Sequence, residues 1–132
     1  MTPEQIYEMA PYVRTLGIEL GEMTPDEVRA RLPWSPPLTT VGGGLHGGTL
    51  MALADAAGAI CAVLNLPAGA TGTTTVESTT HFMRALRSGA AEAVSRPLHL
   101  GRTTIVVETD VLDDEGRRCT RTTQVQAVLG GR

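Results

Sequence analysis

The segment over residues 49–64 constrains the fold more than any other, because it is apolar on every side apart from one carboxylate. Its other side chains are hydrophobic or small, with alanine dominant, which predicts a buried helix. Glycines precede it and Pro67 and Gly69 follow it, so the helix is expected over residues 47–65. The carboxylate is that of Asp55, and burying an ionised carboxylate without a partner costs several kcal/mol. Asp55 therefore either accepts structural hydrogen bonds from a neighbouring loop or has a functional role.

The length of this segment also fits a membrane span, which needs about 20 residues. Asp55 would cost about 3 kcal/mol near the middle of a bilayer, and the segment has no flanking Arg or Lys anchors. The rest of the chain reads as an ordinary soluble domain. We therefore expect no membrane association.

Composition fits one small domain spanning residues 1–132. The net charge of −3 argues against a general affinity for nucleic acid or anionic membranes. The N-terminus carries no apolar signal segment, and Cys61 and Cys119 are expected to be free thiols, so the sequence predicts a cytoplasmic protein. The three histidines are too scattered to predict a metal site.

The start of the long helix contains His46, Gly47 and Gly48, where backbone N–H groups lack partners and the helix dipole is positive. Glycine lets a ligand approach this backbone closely, so a carbonyl oxygen that gains negative charge would be stabilised there. Asp55 lies eight residues after Gly47, about 12 Å along a helix. One carbonyl group cannot contact both, so the two features are unrelated or meet through a second, antiparallel copy. The second possibility predicts a homodimer with paired composite sites.

Hydrophobic alternation and turn residues predict an antiparallel sheet around the long helix, which places the chain in the α+β class. A short helix is expected over residues 2–14, because Thr2 can cap it and Pro3 suits its first turn. The expected strands are residues 17–20, 27–32, 71–84, 90–100, 102–112 and 117–129. A loop rich in proline and glycine is expected over residues 33–44.

The pattern Leu45-His46-Gly47-Gly48 followed by Leu53-Ala54-Asp55 resembles the signature of hotdog-fold acyl-CoA thioesterases. It is most similar to the subgroup that includes the phenylacetate-pathway and 4-hydroxybenzoyl-CoA enzymes. Residues 79–84 and 100–108 resemble later strands of the same family, and the resemblance covers residues 11–129. It implies a single hotdog domain, in which a curved antiparallel sheet wraps a long central helix.

The resemblance also implies roles for individual residues. Asp55 would act as general base or nucleophile, the N–H of Gly47 would polarise the thioester carbonyl, and His46 would shape the helix start or contact the substrate region. Gly48 and Thr75 would lie on the substrate side of the site. Many relatives carry Asn or Gln where this chain has Thr40, whose shorter side chain alters the carbonyl clamp or the choice of substrate.

Coenzyme A would enter as part of the substrate, and no separate cofactor is expected. Arg84, Arg87 and Arg102 are candidates for its phosphates, although they are equally typical of solvent-exposed turns. The leading hypothesis is hydrolysis of acyl-CoA thioesters to free acid and coenzyme A by a homodimer or a dimer-of-dimers tetramer. The alternatives are a non-catalytic acyl-CoA binding module, at which Thr40 hints, and a hotdog dehydratase or hydratase. The acyl group stays open, because the pocket walls are expected to come from strand residues of unknown register.

Overall fold

A computed structural model describes residues 1–131 of the chain. In that part, the α-helices are α1 (Pro3–Met9), α2 (Pro11–Leu16) and α3 (Gly47–Val63). The strands are β1 (Glu19–Met23), β2 (Val28–Pro33), β3 (Ala70–Phe82), β4 (Ala90–Leu100), β5 (Thr104–Leu112) and β6 (Arg118–Gly130). The loop before α3 also contains a 3-10 turn, Pro36–Leu38, which the sequence did not predict.

The strands form one antiparallel sheet in the order β1-β2-β4-β5-β6-β3. One face of this sheet packs on α3, so the predicted arrangement of a long helix wrapped by an antiparallel sheet is confirmed. The sheet leaves two strands at its edges, the short β1 and the thirteen-residue β3. The backbone N–H and C=O groups along the free edge of β3 can form hydrogen bonds with a strand of another subunit.

The N-terminal helix expected over residues 2–14 is instead two helices. Thr2 caps α1 as predicted, because its hydroxyl accepts the N–H of Gln5 at 3.3 Å. The chain then leaves the helical conformation at Ala10, with φ −130° and ψ 76°. Proline disfavours a helical residue before it, and Pro11 starts the second helix. Gly17 ends α2 in the left-handed conformation, so β1 begins two residues later than expected, at Glu19.

The expectation that α3 is buried on every side is wrong for the single chain. The sheet covers the face that carries Leu50, Leu53 and Ala57, and these residues are buried. The sheet does not cover the flank of α3 that carries Met51 and Asp55, so both residues are exposed, although the Asp55 carboxylate still contacts Gln124 on β6. A helix that is apolar all round but covered on one side has an apolar stripe available for a ligand or another subunit.

The inner face of the sheet carries an unusual number of polar side chains beneath α3. Six of them are buried to within 1% of full burial, namely Ser95, Thr109, Thr120, Thr122, Gln124 and Gln126. Ser95 and Thr109 pair with each other, since their hydroxyls lie 2.6 Å apart, and Thr122, Gln124 and Gln126 pair with side chains on β3 or α3. Buried polar groups require such partners, so this face is organised by hydrogen bonds as well as by apolar packing.

No helix in the described part of the chain combines the length and hydropathy needed to cross a bilayer.

Candidate active site

The start of α3 is arranged so that one backbone donor stays free. His46 is the N-cap residue, and its Nδ1 accepts the N–H of Gly48 at 2.9 Å. The N–H groups of Thr49 and Leu50 both donate to the His46 carbonyl, at 2.9 and 3.1 Å. Of the first four N–H groups of α3, only that of Gly47 lacks an acceptor within residues 1–131. The histidine therefore shapes the helix start, and the available donor is that of Gly47.

The glycines at this position leave room for close neighbours. A Cβ on Gly48 would lie 3.1 Å from His46 Nδ1, crowding the capping contact. A Cβ on Gly47 would lie 3.2 Å from Cε1 of Phe82, the last residue of β3. The Phe82 ring, half exposed, thus lies against the helix start and forms one side of the space next to the free N–H.

The Asp55 carboxylate has a specific partner on the sheet. Nε2 of Gln124, on β6, donates to Oδ1 of Asp55 at 2.9 Å. No described residue donates to Oδ2, which is left free for another partner. The sequence did not identify Gln124 as a site residue.

The apolar environment of Asp55 raises the pKa of its carboxyl group, because lost hydration disfavours the ionised form, and the Gln124 hydrogen bond opposes this only in part. The residue as a whole is exposed in the single chain, so the rise reflects the apolar side chains on one flank of the carboxylate and not full burial. A carboxyl with a raised pKa is a better proton acceptor at neutral pH, which suits a general base.

An apolar cavity of about 440 Å³ opens beside Asp55. Its walls come from α1, α2 and the uncovered stripe of α3, with small contributions from the start of β3. Asp55 is its only carboxylate among the described residues, and Ala52, Ala56 and Ala59 keep its α3 side shallow. Strand residues contribute little to this cavity, because the broken N-terminal helix supplies most of its apolar surface.

Thr75 faces the same side of the sheet as Gln124. Its hydroxyl accepts a hydrogen bond of 2.7 Å from Nε2 of Gln126, two residues further along β6. Two glutamines on the same face of β6 therefore donate to site residues: Gln124 donates to Asp55, and Gln126 donates to Thr75. Thr40 lies elsewhere, in the loop before α3, where its N–H donates to the Gly44 carbonyl at 2.9 Å.

Two of the three arginines predicted for phosphate binding, Arg84 and Arg102, lie at opposite ends of the sheet. Arg84 follows the end of β3, where Phe82 pairs with Thr120 of β6. Arg102 lies in the β4–β5 turn, next to Val128 at the other end of β6. Eight residues separate Thr120 from Val128, which is about 26 Å of strand. One chain does not bring Arg84 and Arg102 together.

Comparison with known proteins shows the family to which the chain belongs. The family model of the thioesterase superfamily matches residues 42–120. The proofreading thioesterase EntH of Cronobacter turicensis is 35% identical over 118 residues, which cover 89% of this chain and 85% of that protein. A thioesterase structure from Haemophilus influenzae superposes with a TM-score of 0.89 and 27% identity, covering 98% of this chain and 92% of that one.

The Escherichia coli PaaI protein from the phenylacetic acid degradation operon is similar in fold. Its TM-score is 0.86 at 21% identity, over 97% of this chain and 91% of that one. The chain belongs to the thioesterase superfamily. The hotdog fold and the class of reaction, thioester hydrolysis, are thereby confirmed.

Proposed function

We propose that this protein hydrolyses acyl-CoA thioesters at composite sites in a homodimer. Each site combines Asp55 of one subunit with the free N–H of Gly47 of the partner subunit. The observation that carries the proposal is that both groups are available yet lie on one uninterrupted helix, α3, about 12 Å apart. A carbonyl carbon under attack must be near both groups, and an antiparallel pair of α3 helices would bring them level.

Two features of the single chain support a dimer. The edge strand β3 is long and carries exposed Val76 and Phe82, a combination that favours pairing with another strand. Met51 is exposed on the uncovered stripe of α3, one turn before Asp55. A second copy placed along β3 would cover this surface, and it would bring its own helix start close to the stripe.

The proposed reaction uses Asp55 as a general base. Water attacks the thioester carbonyl carbon and gives one proton to the carboxylate. The carbonyl oxygen becomes an oxyanion and accepts the Gly47 N–H of the partner subunit, as in an oxyanion hole. Collapse of this intermediate breaks the carbon–sulfur bond, and the departing coenzyme A thiolate takes up the proton that Asp55 accepted, which regenerates the carboxylate.

The free Oδ2 and the raised pKa of Asp55 suit a carboxylate that takes a proton from water.

The apolar cavity beside Asp55 is the proposed place for the acyl group. Its walls offer almost no hydrogen-bonding partners, so uncharged aromatic or aliphatic acyl groups fit and charged ones do not. Arg84 is the better candidate for a coenzyme A phosphate, because it lies in the same loop region as Arg87, whose Nε donates to Gly42 near the helix start. Arg102 would reach the same nucleotide only from a different subunit.

The test is the variant Asp55→Asn, assayed for thiol release from short, long and aromatic acyl-CoAs. We expect turnover to fall by at least about 100-fold while the fold and the dimer persist. Binding of the acyl-CoAs should survive, which distinguishes loss of chemistry from loss of the site. Near-normal turnover would refute the assignment of Asp55. Binding by the unaltered protein without thiol release would favour the binding-module alternative for this chain.

A further inference from the structure

We propose that Gln124 is a positioning residue for Asp55, and that Gly58 is glycine in order to admit the Gln124 side chain. This inference rests on the proposed role of Asp55. It assigns a function to two residues that have no direct part in the reaction described above.

The contact is well defined. Gln124 is fully buried on the inner face of β6, and its Nε2 lies 2.9 Å from Oδ1 of Asp55. The other end of the amide, Oε1, occupies the space above Gly58, one turn along α3 from Asp55. A Cβ on Gly58 would overlap Oε1, and it would also lie 3.5 Å from the hydroxyl oxygen of Thr109.

The arrangement carries two costs to stability. Oε1 of Gln124 is buried and has no hydrogen-bond partner among residues 1–131, so it has lost its hydration without replacement. Gly58 lies in the middle of α3, where glycine is less favourable than alanine. An apolar side chain at 124 opposite an alanine at 58 would remove both costs. The gain that remains is the single hydrogen bond to Asp55.

That hydrogen bond fixes which oxygen is available. With Oδ1 held by the amide, Oδ2 is the free atom for water. Donation from Gln124 also lowers the pKa of Asp55 and so moderates the rise caused by lost hydration. The other ionisable side chain that lines the cavity in the described chain is the Tyr12 phenol from α2. On the sheet side, the atoms nearest the space above Gly58 belong to the uncharged side chains of Gln124 and Thr109.

The main test is Gln124→Leu, with Thr122→Val as its matched control. Thr122 is buried on the same face of β6, but its hydroxyl pairs with Thr80 at 2.7 Å and not with Asp55. For Gln124→Leu we expect kcat to fall by about 10- to 100-fold, because the carboxylate is no longer oriented. The acid limb of kcat/KM should move to higher pH, with KM nearly unchanged. Thr122→Val should leave both the limb and kcat in place.

A second variant guards against poor folding of Gln124→Leu. Gly58→Ala should displace the Gln124 amide and reproduce the shift of the acid limb. In a Gln124→Ala background, where the methyl group has room, Gly58→Ala should change nothing further. Independent effects of the two substitutions would overturn the link between Gly58 and Gln124.

Direct titration of the Asp55 carboxyl carbon by NMR separates this inference from the proposed function. Its pKa should rise in Gln124→Leu whatever reaction the site performs. An unchanged pKa together with unchanged kcat would overturn the positioning role, even if Asp55→Asn abolishes turnover. A raised pKa combined with normal turnover in Asp55→Asn would refute the proposed function and leave the contact established.

Discussion

Phe82 lies against Gly47, so the last residue of the edge strand β3 contacts the first residue of α3. This contact connects the free N–H of the helix start to the strand that a second subunit would cover. A change in the pairing of β3 would therefore alter the contact between Phe82 and the helix start. The relationship also defines what can be substituted at Gly47, because a Cβ there meets the aromatic ring and nothing else within 4 Å.

The variant Gly47→Pro is expected to remove the proposed oxyanion donor without unfolding α3. Proline has no N–H and is favoured at the first position of a helix, which Gly47 occupies. The preceding residue, His46, already has φ −58° and ψ 137°, a conformation that proline accepts in its neighbour. We expect kcat to fall by about 100- to 1000-fold, as for the loss of one oxyanion-hole donor.

Gly47→Ala is the control for this prediction, because it adds the same Cβ against Phe82 but keeps the N–H. It should retain far more activity than Gly47→Pro, with similar thermal unfolding. Equal losses in the two variants would show that crowding of Phe82 matters and that the donor does not.

Much of this architecture follows from local sequence signals. Turn residues and alternating side chains place the later strands to within two residues, and the glycines after His46 place the start of α3. These features depend on residues that are close together in the sequence, so the sequence of one chain is enough to predict them. The break at Ala10 was missed even though Pro11 signals it, because the apolar stripe continues across the proline.

The face of β6 that meets α3 is a different kind of problem. Successive side chains of a strand point to opposite faces of the sheet, so Gln124 and Gln126 share one face and Val125 and Ala127 share the other. This rule does not say which pair faces the helix. Hydropathy favours the valine and alanine, whereas the structure buries both glutamines. The reason is a partner distant in sequence, since Gln124 is opposite Asp55 and the space above Gly58. The signal that was available is the run of four polar residues on one face of β6, namely Thr120, Thr122, Gln124 and Gln126.

Asp55 shows a second limit of sequence reasoning. An apolar helix indicates that its surface will be covered, but not which chain covers it. In the single chain the stripe that carries Asp55 and Met51 is uncovered, and this is why the carboxylate is accessible.

The raised pKa of Asp55 predicts how this residue affects stability. The carboxyl binds its proton more tightly in the folded state than in the unfolded state, where its pKa is about 3.9. Between the two values the folded state holds more protons, so the contribution of Asp55 to the free energy of unfolding falls as pH rises. Above the folded-state pKa, the loss of stability caused by the ionised Asp55 carboxylate is fully present. Below the unfolded-state pKa, this loss is absent.

Asp55→Asn should therefore gain stability relative to the unaltered protein as pH increases from about 4 to 7. Urea unfolding at several pH values measures this difference, and the gain should be small because the residue keeps solvent access. A difference that is constant with pH, or that shrinks toward neutral pH, would contradict the raised pKa. The pH dependence is the informative quantity, since Asn can still accept the Gln124 N–H.

Mixing of two inactive variants tests the composite site directly. In a dimer of Asp55→Asn with Gly47→Pro, one site contains both defects. The other site contains the intact Asp55 of the second variant and the intact Gly47 N–H of the first. Random mixing makes half of the dimers mixed, and each has one of its two sites restored, so about a quarter of the original activity should return.

Unfolding and refolding the two variants together, followed by a thiol-release assay, measures this recovery. Each variant refolded alone provides the baseline, and recovery should rise with the fraction of mixed dimers as the ratio of the two variants approaches one. If Gly47 and Asp55 of the same chain formed the site, every site in the mixture would keep one defect. The mixture would then remain as inactive as its parts, and the two-subunit mechanism would be wrong.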